Sequence, residues 1–370
     1  MGEIVDRLMA LGIYRIPEHM GIRFNESMFV RNVLARKEAP YVEHPAEEGI
    51  YKQIDRGRLL IVRGPKGDGL SVATLAALTR KILLDRAVVI DAKVARDGIN
   101  VGLADLANSI REAHREPILY LDLSKPGHYP QKPWMEGVLY MPTRLDEFLS
   151  TLEEVKAVSR AKDVTAVVVL SDDLYEILKN WLGRHAAAEV SGGNVYFLRE
   201  LVRVYSNCGE DAAAEVAEVA AKHDCGRAVL ATLAADWLAR RNCQGTATEA
   251  LQAAEDKAKE FIADYIWYTV LNGNRPYANL HAPLILLRYF EGPLSAEEAE
   301  EFLINLGFED YIVRGSEAAR WIAARHCSLI EGAIKKAVET ALKEGAKDGL
   351  HYVLRNAASR YHKYFKDRSK

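Results

Sequence analysis

The sequence lacks the features that mark membrane, secreted or globally basic proteins. No apolar run approaches the ~20 residues that cross a bilayer. The first ten residues carry acidic side chains and contain no apolar signal-peptide core. The formal net charge is −3 over 370 residues, so the chain has no global basic surplus of the kind that binds nucleic acid. We therefore expect a cytoplasmic protein without a membrane span, in which any contact with nucleic acid is local.

Cysteine is scarce as well, and its spacing argues against a zinc site. The four cysteines are Cys208, Cys225, Cys243 and Cys327. They form no C-x-x-C pair, and no histidines stand at ligand spacing. Buried free thiols are the expected state. Disulfides are expected instead if the source is a hyperthermophile, because intracellular disulfides occur there.

What the chain does contain is a stretch of strand, loop and helix between residues 59 and 82. An apolar run, Leu59–Val62, leads into the glycine-rich turn Gly64–Gly69, and an alanine- and leucine-rich segment with helical spacing follows. Glycines let the N–H groups of such a loop point inward. The positive end of the next helix then completes an anion site suited to phosphates.

The phosphate-binding pattern G-x-x-x-x-G-K-[ST] fits this loop incompletely. Leu70 stands where the pattern has lysine, whose ammonium neutralises the β- and γ-phosphates during transfer. Lys66 lies inside the loop and is a candidate substitute. The residues that we expect to contact a nucleotide here are Gly64, Lys66, Gly67, Asp68, Gly69, Leu70 and Ser71.

Two further polar residues end predicted strands. Asp122 lies near the end of the apolar run 117–123, and Ser171 closes the run 165–170. An aspartate at the tip of a buried strand presents a carboxylate to magnesium in P-loop folds, so Ser71 and Asp122 are candidate metal ligands. The alternative is that Asp122 merely ends a strand.

These runs, separated by helical segments, predict a parallel sheet. Strand–helix–strand units of this length place helices on both faces of such a sheet, and a fourth strand is predicted at 194–198. The candidate residues would then meet beyond the carboxyl ends of the strands. This prediction requires the segments that end at Val62, Leu121 and Leu170 to lie side by side in one sheet.

In this order of motifs the chain resembles the AAA+ P-loop NTPases, specifically the archaeal ATPase and origin-recognition/Cdc6-like branch, over residues 43–241. The resemblance implies a short helix before the first strand, within 43–58, and a γ-phosphate sensor at Ser171. It also implies a helical lid in which Arg227 is a sensor 2 candidate that reaches back to the phosphates. The alternatives are that Asp172 and Asp173 cap a helix at this strand end and that Arg227 is a surface arginine.

The resemblance also shows what is missing. Hydrolysing members carry a glutamate after the strand-end aspartate, whereas Leu123 and Ser124 follow Asp122 here. In that family the phosphate-binding loop is the Walker A motif and the strand end with its aspartate is the Walker B motif. Leu70 in the loop and Leu123 after Asp122 therefore make both motifs degenerate here.

The predicted fold class is α/β, with a P-loop parallel sheet flanked by helices, an AAA+-type helical lid and a mostly helical C-terminal domain. The predicted domains are an N-terminal extension (1–42), the P-loop domain (43–198), the lid (199–271) and a C-terminal domain of winged-helix or other helical type (272–370). A break at 272–276 separates the last two. Helices are expected over 280–290 and 296–306, the second capped by the segment that ends at Ser295.

The end of the chain is locally basic. Residues 351–370 contain six Lys and Arg against one acidic residue, interleaved with aromatic side chains. Candidate contacts to nucleic acid or another polyanionic partner are Arg355, Arg360, Lys363 and Lys366. The alternative is a basic last helix that packs on the body through its aromatic side.

Two functions are compatible with these patterns. The first is a degenerate AAA+-like protein that lacks efficient ATP hydrolysis, binds ATP or ADP with Mg²⁺ weakly or not at all, and serves as a structural or regulatory subunit with protein partners, in an oligomer or a nucleoprotein assembly. The second is a DNA-associated initiator- or transposon-type ATPase in which Lys66 replaces the lost charge.

The second function predicts salt-sensitive DNA binding through the basic tail. Deleting the residues after Gly349 removes six basic side chains, so DNA affinity should fall and its salt dependence should become shallower. Fluorescence anisotropy of a labelled duplex at several salt concentrations measures both quantities. Absence of binding by the full chain at low salt would contradict this function.

Overall fold

The computed structural model describes residues 42–54, 59–85, 87–92, 102–112, 114, 116–123, 145–266 and 324–344, together with scattered positions between 285 and 304. The described residues up to Ala254 form one compact unit, apart from the first two residues of the helix that begins at Leu145. Those two residues and the chain from Glu255 onward belong to a second unit.

The first unit is built on a five-stranded parallel sheet with the order β2-β3-β4-β1-β5. The strands are β1 (Leu59–Gly64), β2 (Ala87–Asp91), β3 (Glu116–Asp122), β4 (Thr165–Ser171) and β5 (Ala186–Glu189). In the register, Val62 and Asp122 both lie opposite Val169, and Gly64 lies opposite Ser171. The three segments that end at Val62, Leu121 and Leu170 are therefore neighbours, as predicted.

Both faces of the sheet are buried. Leu60, Ile61 and Val62 are all inaccessible to solvent, although successive side chains of a strand point to opposite faces. The flanking helices are α1 (Glu47–Ile54), α2 (Leu70–Asp85), α3 (Leu103–Glu112), α4 (Leu145–Lys162) and α5 (Asp172–Leu182). The predicted α/β fold is thus confirmed, and α1 is the short helix expected before the first strand.

One predicted strand is wrong. Residues 194–198 do not form the fourth strand but begin helix α6 (Val195–Ser206), which Asn194 caps by accepting a hydrogen bond from the N–H of Phe197. The aromatic and β-branched residues of this run resemble a strand. The buried residues from this run onward, however, are spaced as on one face of a helix: Leu198, Leu201 and Val202. The alanine-rich run at β5 takes the place beside β1.

Helices α6, α7 (Glu210–Ala220) and α8 (Arg227–Arg240) pack against one another, and we call residues 195–240 the helical segment. A disulfide joins Cys208, which precedes α7, to Cys243, which follows α8. The structure contains no free cysteine, so the prediction of free thiols is wrong. Cys208 is buried and Cys243 is exposed, and sequence spacing alone does not decide whether two thiols approach within bonding distance.

The second unit contains helices and short irregular stretches among its described residues. Helix α9 (Ala247–Ile266) ends there, and α10 (Ser328–Glu344) belongs to it. Ser295 and Glu298 exchange backbone-to-side-chain hydrogen bonds, which confirms the predicted cap. The break at 272–276 and the basic tail lie outside the described residues. Within the described part, no helix is long and apolar enough to span a bilayer.

The Cys208–Cys243 disulfide should stabilise the helical segment. Replacing both cysteines by alanine releases a cross-link with a sequence separation of 35 residues. The expected loss is about 2–4 kcal/mol in the free energy of unfolding, chiefly because the unfolded chain becomes less restricted. Thermal unfolding followed by circular dichroism should show a lower Tm for the double variant under non-reducing conditions. Thiol titration of the denatured wild type is the control, and reactive thiols there would contradict the assignment.

Candidate functional site

The candidate loop occupies the expected place between β1 and α2. Gly67 and Gly69 have φ values of 73° and 93°, a region that L side chains rarely adopt. The N–H of Ala73 donates to the carbonyl of Gly69 over 2.8 Å, so the first turn of α2 closes directly onto the loop. The glycines singled out by the sequence are thus needed for the path of the backbone.

A second glycine-rich segment, residues 190–194, runs beside the loop. A Cβ at Gly64 would lie 2.1 Å from the carbonyl oxygen of Val190, so a side chain has no room there. A Cβ at Gly192 would lie 3.0 Å from Asp68. Sequence analysis assigned this segment no role in the site. Its small residues allow the chain that leaves β5 to pass against the loop.

Asp68 is the most buried polar residue of the loop, with an exposed fraction of 0%. Its Oδ2 accepts hydrogen bonds from the N–H of Gly192 (3.0 Å) and from Nε (2.8 Å) and Nη2 of Arg227. Its Oδ1 accepts from the backbone N–H of Arg227 at 2.9 Å. Buried carboxylates require such partners, so this carboxylate binds the loop, the 190–194 segment and the start of α8 together.

The helical segment contacts the loop through the backbone as well. The N–H groups of Gly226 and Val229 donate to the carbonyls of Lys66 (2.7 Å) and Gly67 (3.1 Å). The first N–H groups of a helix lack partners within it, and here the loop supplies their acceptors. Arg227, the sensor 2 candidate, is the first residue of α8. Its guanidinium contacts Asp68, a protein carboxylate within the loop.

Lys66, the candidate substitute for the missing lysine, also has a carboxylate partner. Its Nζ lies 2.7 Å from Oδ2 of Asp173, in the first turn of α5. Burial lowers the pKa of Lys66, and the Asp173 carboxylate partly opposes this effect. The Lys66 ammonium therefore serves to neutralise an acidic helix start in this structure.

The last two residues expected to contact a nucleotide, Leu70 and Ser71, begin α2. Leu70 is buried, with 4% of its surface exposed, and Ser71 is partly buried. Leu70 accepts a hydrogen bond through its carbonyl from the hydroxyl of Thr74 at 2.8 Å. The position of the pattern's lysine is thus filled by a side chain that packs into the core.

Asp122 and Ser171 lie at the carboxyl ends of adjacent strands. The hydroxyl of Tyr120 donates to Oδ2 of Asp122 at 2.8 Å. Oγ of Ser171 is buried and has no hydrogen-bond partner, although this residue stands opposite Gly64 in the register. An unsatisfied buried hydroxyl beside the loop suits an anionic ligand, and the oxygens of Ser71 and Asp122 suit Mg²⁺ by chemical type.

His44 contributes to the loop although sequence analysis did not single it out. Its Nε2 lies 2.9 Å from the carbonyl of Asp68, and its Nδ1 accepts the N–H of Ala46 at 3.1 Å. Because Nδ1 accepts, Nε2 carries the hydrogen of a neutral ring. The ring also meets Phe197 edge-to-face, with centroids 4.6 Å apart. Only its place in the segment before β1 could have suggested this role.

The proposed tail contacts, Arg355, Arg360, Lys363 and Lys366, lie outside the described residues. They remain predictions.

No protein family and no curated protein sequence matches this chain. Among solved structures, a Walker-type ATPase of Pyrococcus abyssi is similar with a TM-score of 0.41 and 14% identity, over 80% of this chain and 94% of that one. The ORC2 protein of Aeropyrum pernix, solved as ADPNP-ADP complexes, aligns with a TM-score of 0.42 and 11% identity over 89% and 97%. PCH-2 of C. elegans aligns with a TM-score of 0.35 and 10% identity over 56% and 66%.

Each of these three structures is less than 25% identical to the chain and has a TM-score below 0.5. At such identities and TM-scores they carry no argument about ligand, activity or partner. The fold assignment depends instead on the strand order and on the loop after β1.

The neutral state of His44 should make stability depend on pH. Burial lowers the pKa of His44 below its ordinary value, and the hydrogen bond and charge at Asp68 offset this only in part. The unfolded chain then binds the proton more readily, so the His44 contribution is complete above about pH 6.5 and is lost as the pH falls toward the folded pKa. Measuring Tm from about pH 8 to pH 5 tests this sign.

His44→Gln is the matched control, because glutamine keeps an N–H donor for the Asp68 carbonyl but does not titrate. Its Tm should fall less on acidification than that of the wild type. Identical pH profiles for the two proteins would contradict this role of His44.

Proposed function

We propose that this chain is a P-loop protein without efficient ATP hydrolysis that acts as a structural or regulatory subunit of a protein or nucleoprotein assembly. The observation that carries the proposal is the pairing of both candidate phosphate-binding cations. Lys66 contacts Asp173 and Arg227 contacts Asp68, so each cation already has a carboxylate partner.

Phosphoryl transfer requires positive charge on the β- and γ-phosphates as the bond breaks. A paired cation contributes less to that stabilisation, because the nearby carboxylate cancels much of its field. Leu70, at the pattern's lysine position, contributes no charge. Little positive charge is therefore available at this loop to stabilise phosphoryl transfer, although the glycine-rich backbone that could bind an anion is present.

The residues that would hold Mg²⁺ and activate the attacking water are also incomplete. Asp122 offers a carboxylate, but the next residue, Leu123, is buried and apolar. A water-activating glutamate is thus missing from the position where hydrolysing relatives of this type carry it. ATP or ADP binding with Mg²⁺ through Ser71 and Asp122 remains compatible with this arrangement, whereas rapid turnover does not.

A role in an assembly is supported by the surface beside the loop. Tyr196 is 74% exposed in the first turn of α6, shortly after the residues that cover Asp68. Arg199 lies over its ring at 5.3 Å. Exposed tyrosine and arginine are enriched where proteins contact one another, so we place a protein contact near this turn.

The test is turnover of ATP with Mg²⁺, followed by phosphate release. The wild type should remain far below the ~1 s⁻¹ at the low end of ordinary enzymes. Leu70→Lys should strengthen ADP binding, because it returns an ammonium to the loop. Its ATP turnover should stay low, because no glutamate follows Asp122.

Leu70→Met is the control for the change of side chain without charge, and it should bind ADP as the wild type does. Turnover of the wild type near ~1 s⁻¹ would overturn the proposal, since the paired cations would then suffice for catalysis.

A further inference from the structure

We propose that Asp68 is an autoinhibitory carboxylate: it takes the place of a ligand anion at Arg227 and keeps the helical segment on the loop, so that phosphate binds only by displacing it. This inference concerns regulation of the same loop and rests on the proposed function for the identity of the ligand as a nucleotide phosphate.

The first step of the argument is the donor set around Asp68. Asp68 accepts four hydrogen bonds. One comes from the backbone N–H of Gly192, one from the backbone N–H of Arg227 and two from the guanidinium of Arg227. Backbone N–H groups at a helix start, together with an arginine fork, are the donors that proteins use for phosphate. The carboxylate of Asp68 meets these donors in the manner of a bound anion.

The second step is the location of Asp68 within the loop itself. A carboxylate from another part of the chain could pair with Arg227 without fixing the backbone of the loop. Asp68, by contrast, lies between Gly67 and Gly69, so its contact with α8 fixes the loop backbone at the same time. The adjacent carbonyls of Lys66 and Gly67 accept from Gly226 and Val229, which reinforces the same docking.

The third step is the close fit of small residues around the pair. A Cβ at Gly193 would lie 2.6 Å from Nη1 of Arg227, and a Cβ at Gly67 would lie 2.8 Å from Cα of Gly226. The loop and the helical segment thus meet with no room for a further group between them. A phosphate at Arg227 requires Asp68 to withdraw and the start of α8 to move.

The consequence is a competition within the chain. While Asp68 binds Arg227, the helical segment stays docked without a ligand, and the affinity for phosphate is low. Weakening the pair should release the start of α8 and raise that affinity. The expected gain is about tenfold or more, the size of one charge-assisted hydrogen bond that no longer has to be broken.

The experiment compares the full-length wild type with Asp68→Asn and Arg227→Lys. Calorimetric titration with inorganic pyrophosphate and with ADP measures affinity, and amide hydrogen exchange measures opening over residues 226–233. Asp68→Asn should bind pyrophosphate about tenfold more tightly, and both variants should exchange faster at the start of α8. Arg227→Lys weakens the phosphate contact together with the ion pair, so its readout is amide exchange, which tests the release of α8 should Asp68→Asn fail to fold.

Asp172→Asn is the matched control. It removes one negative charge near the loop, and Asp172 makes no hydrogen bond to Arg227. A gain in pyrophosphate affinity for Asp68→Asn that exceeds the gain for Asp172→Asn supports the competition. Equal affinities of Asp68→Asn and Asp172→Asn, or unchanged exchange at 226–233 in both Asp68→Asn and Arg227→Lys, would overturn it. Rapid ATP turnover by the wild type would instead count against the proposed function and leave this comparison intact.

Discussion

The arrangement of the loop depends on the burial of one negative charge. A carboxylate removed from water must be paired and hydrogen-bonded, or the folded state is strongly destabilised. Asp68 meets this requirement only if the loop, the 190–194 segment and the start of α8 are all in place. The single charge therefore couples the loop to two parts of the chain that lie 124 and 159 positions further along, at Gly192 and Arg227.

The sheet provides the frame on which this coupling forms. Placing β1 between β4 and β5 brings the loop beside the strand end at Ser171 on one side and beside the chain that leaves β5 on the other. In the chain that leaves β5, the lack of a side chain at Gly192 lets the backbone pass against Asp68 of the loop. The close passage of Val190 past Gly64 is another such contact.

The same contacts reduce the electrostatic strength of the site. Asp68 and Asp173 neutralise Arg227 and Lys66, and both pairs are largely shielded from solvent. Ion pairs of this kind contribute position more than net stability, because desolvation offsets much of the attraction between the charges. The charges of Lys66 and Arg227, which could act on a phosphate, therefore act on carboxylates of the protein itself.

The sequence by itself determined the elements with strong periodicity. The three apolar strands, the glycine loop and the cap at Ser295 follow from local patterns, because each depends on residues close together in the chain. The run at 194–198 was misread for a related reason: five residues are too few to separate strand from helix, and only the burial of Leu201 and Val202 in the next turn decides it.

Tertiary structure alone decided the partners. The Cys208–Cys243 disulfide, the Lys66–Asp173 pair, the contact of His44 with the loop and the capture of Arg227 by Asp68 all join residues that no local pattern connects. Which carboxylate meets which cation depends on how the chain passes over the strand ends. The sequence supplied the charges of this site, and the path of the folded chain determined that they neutralise one another.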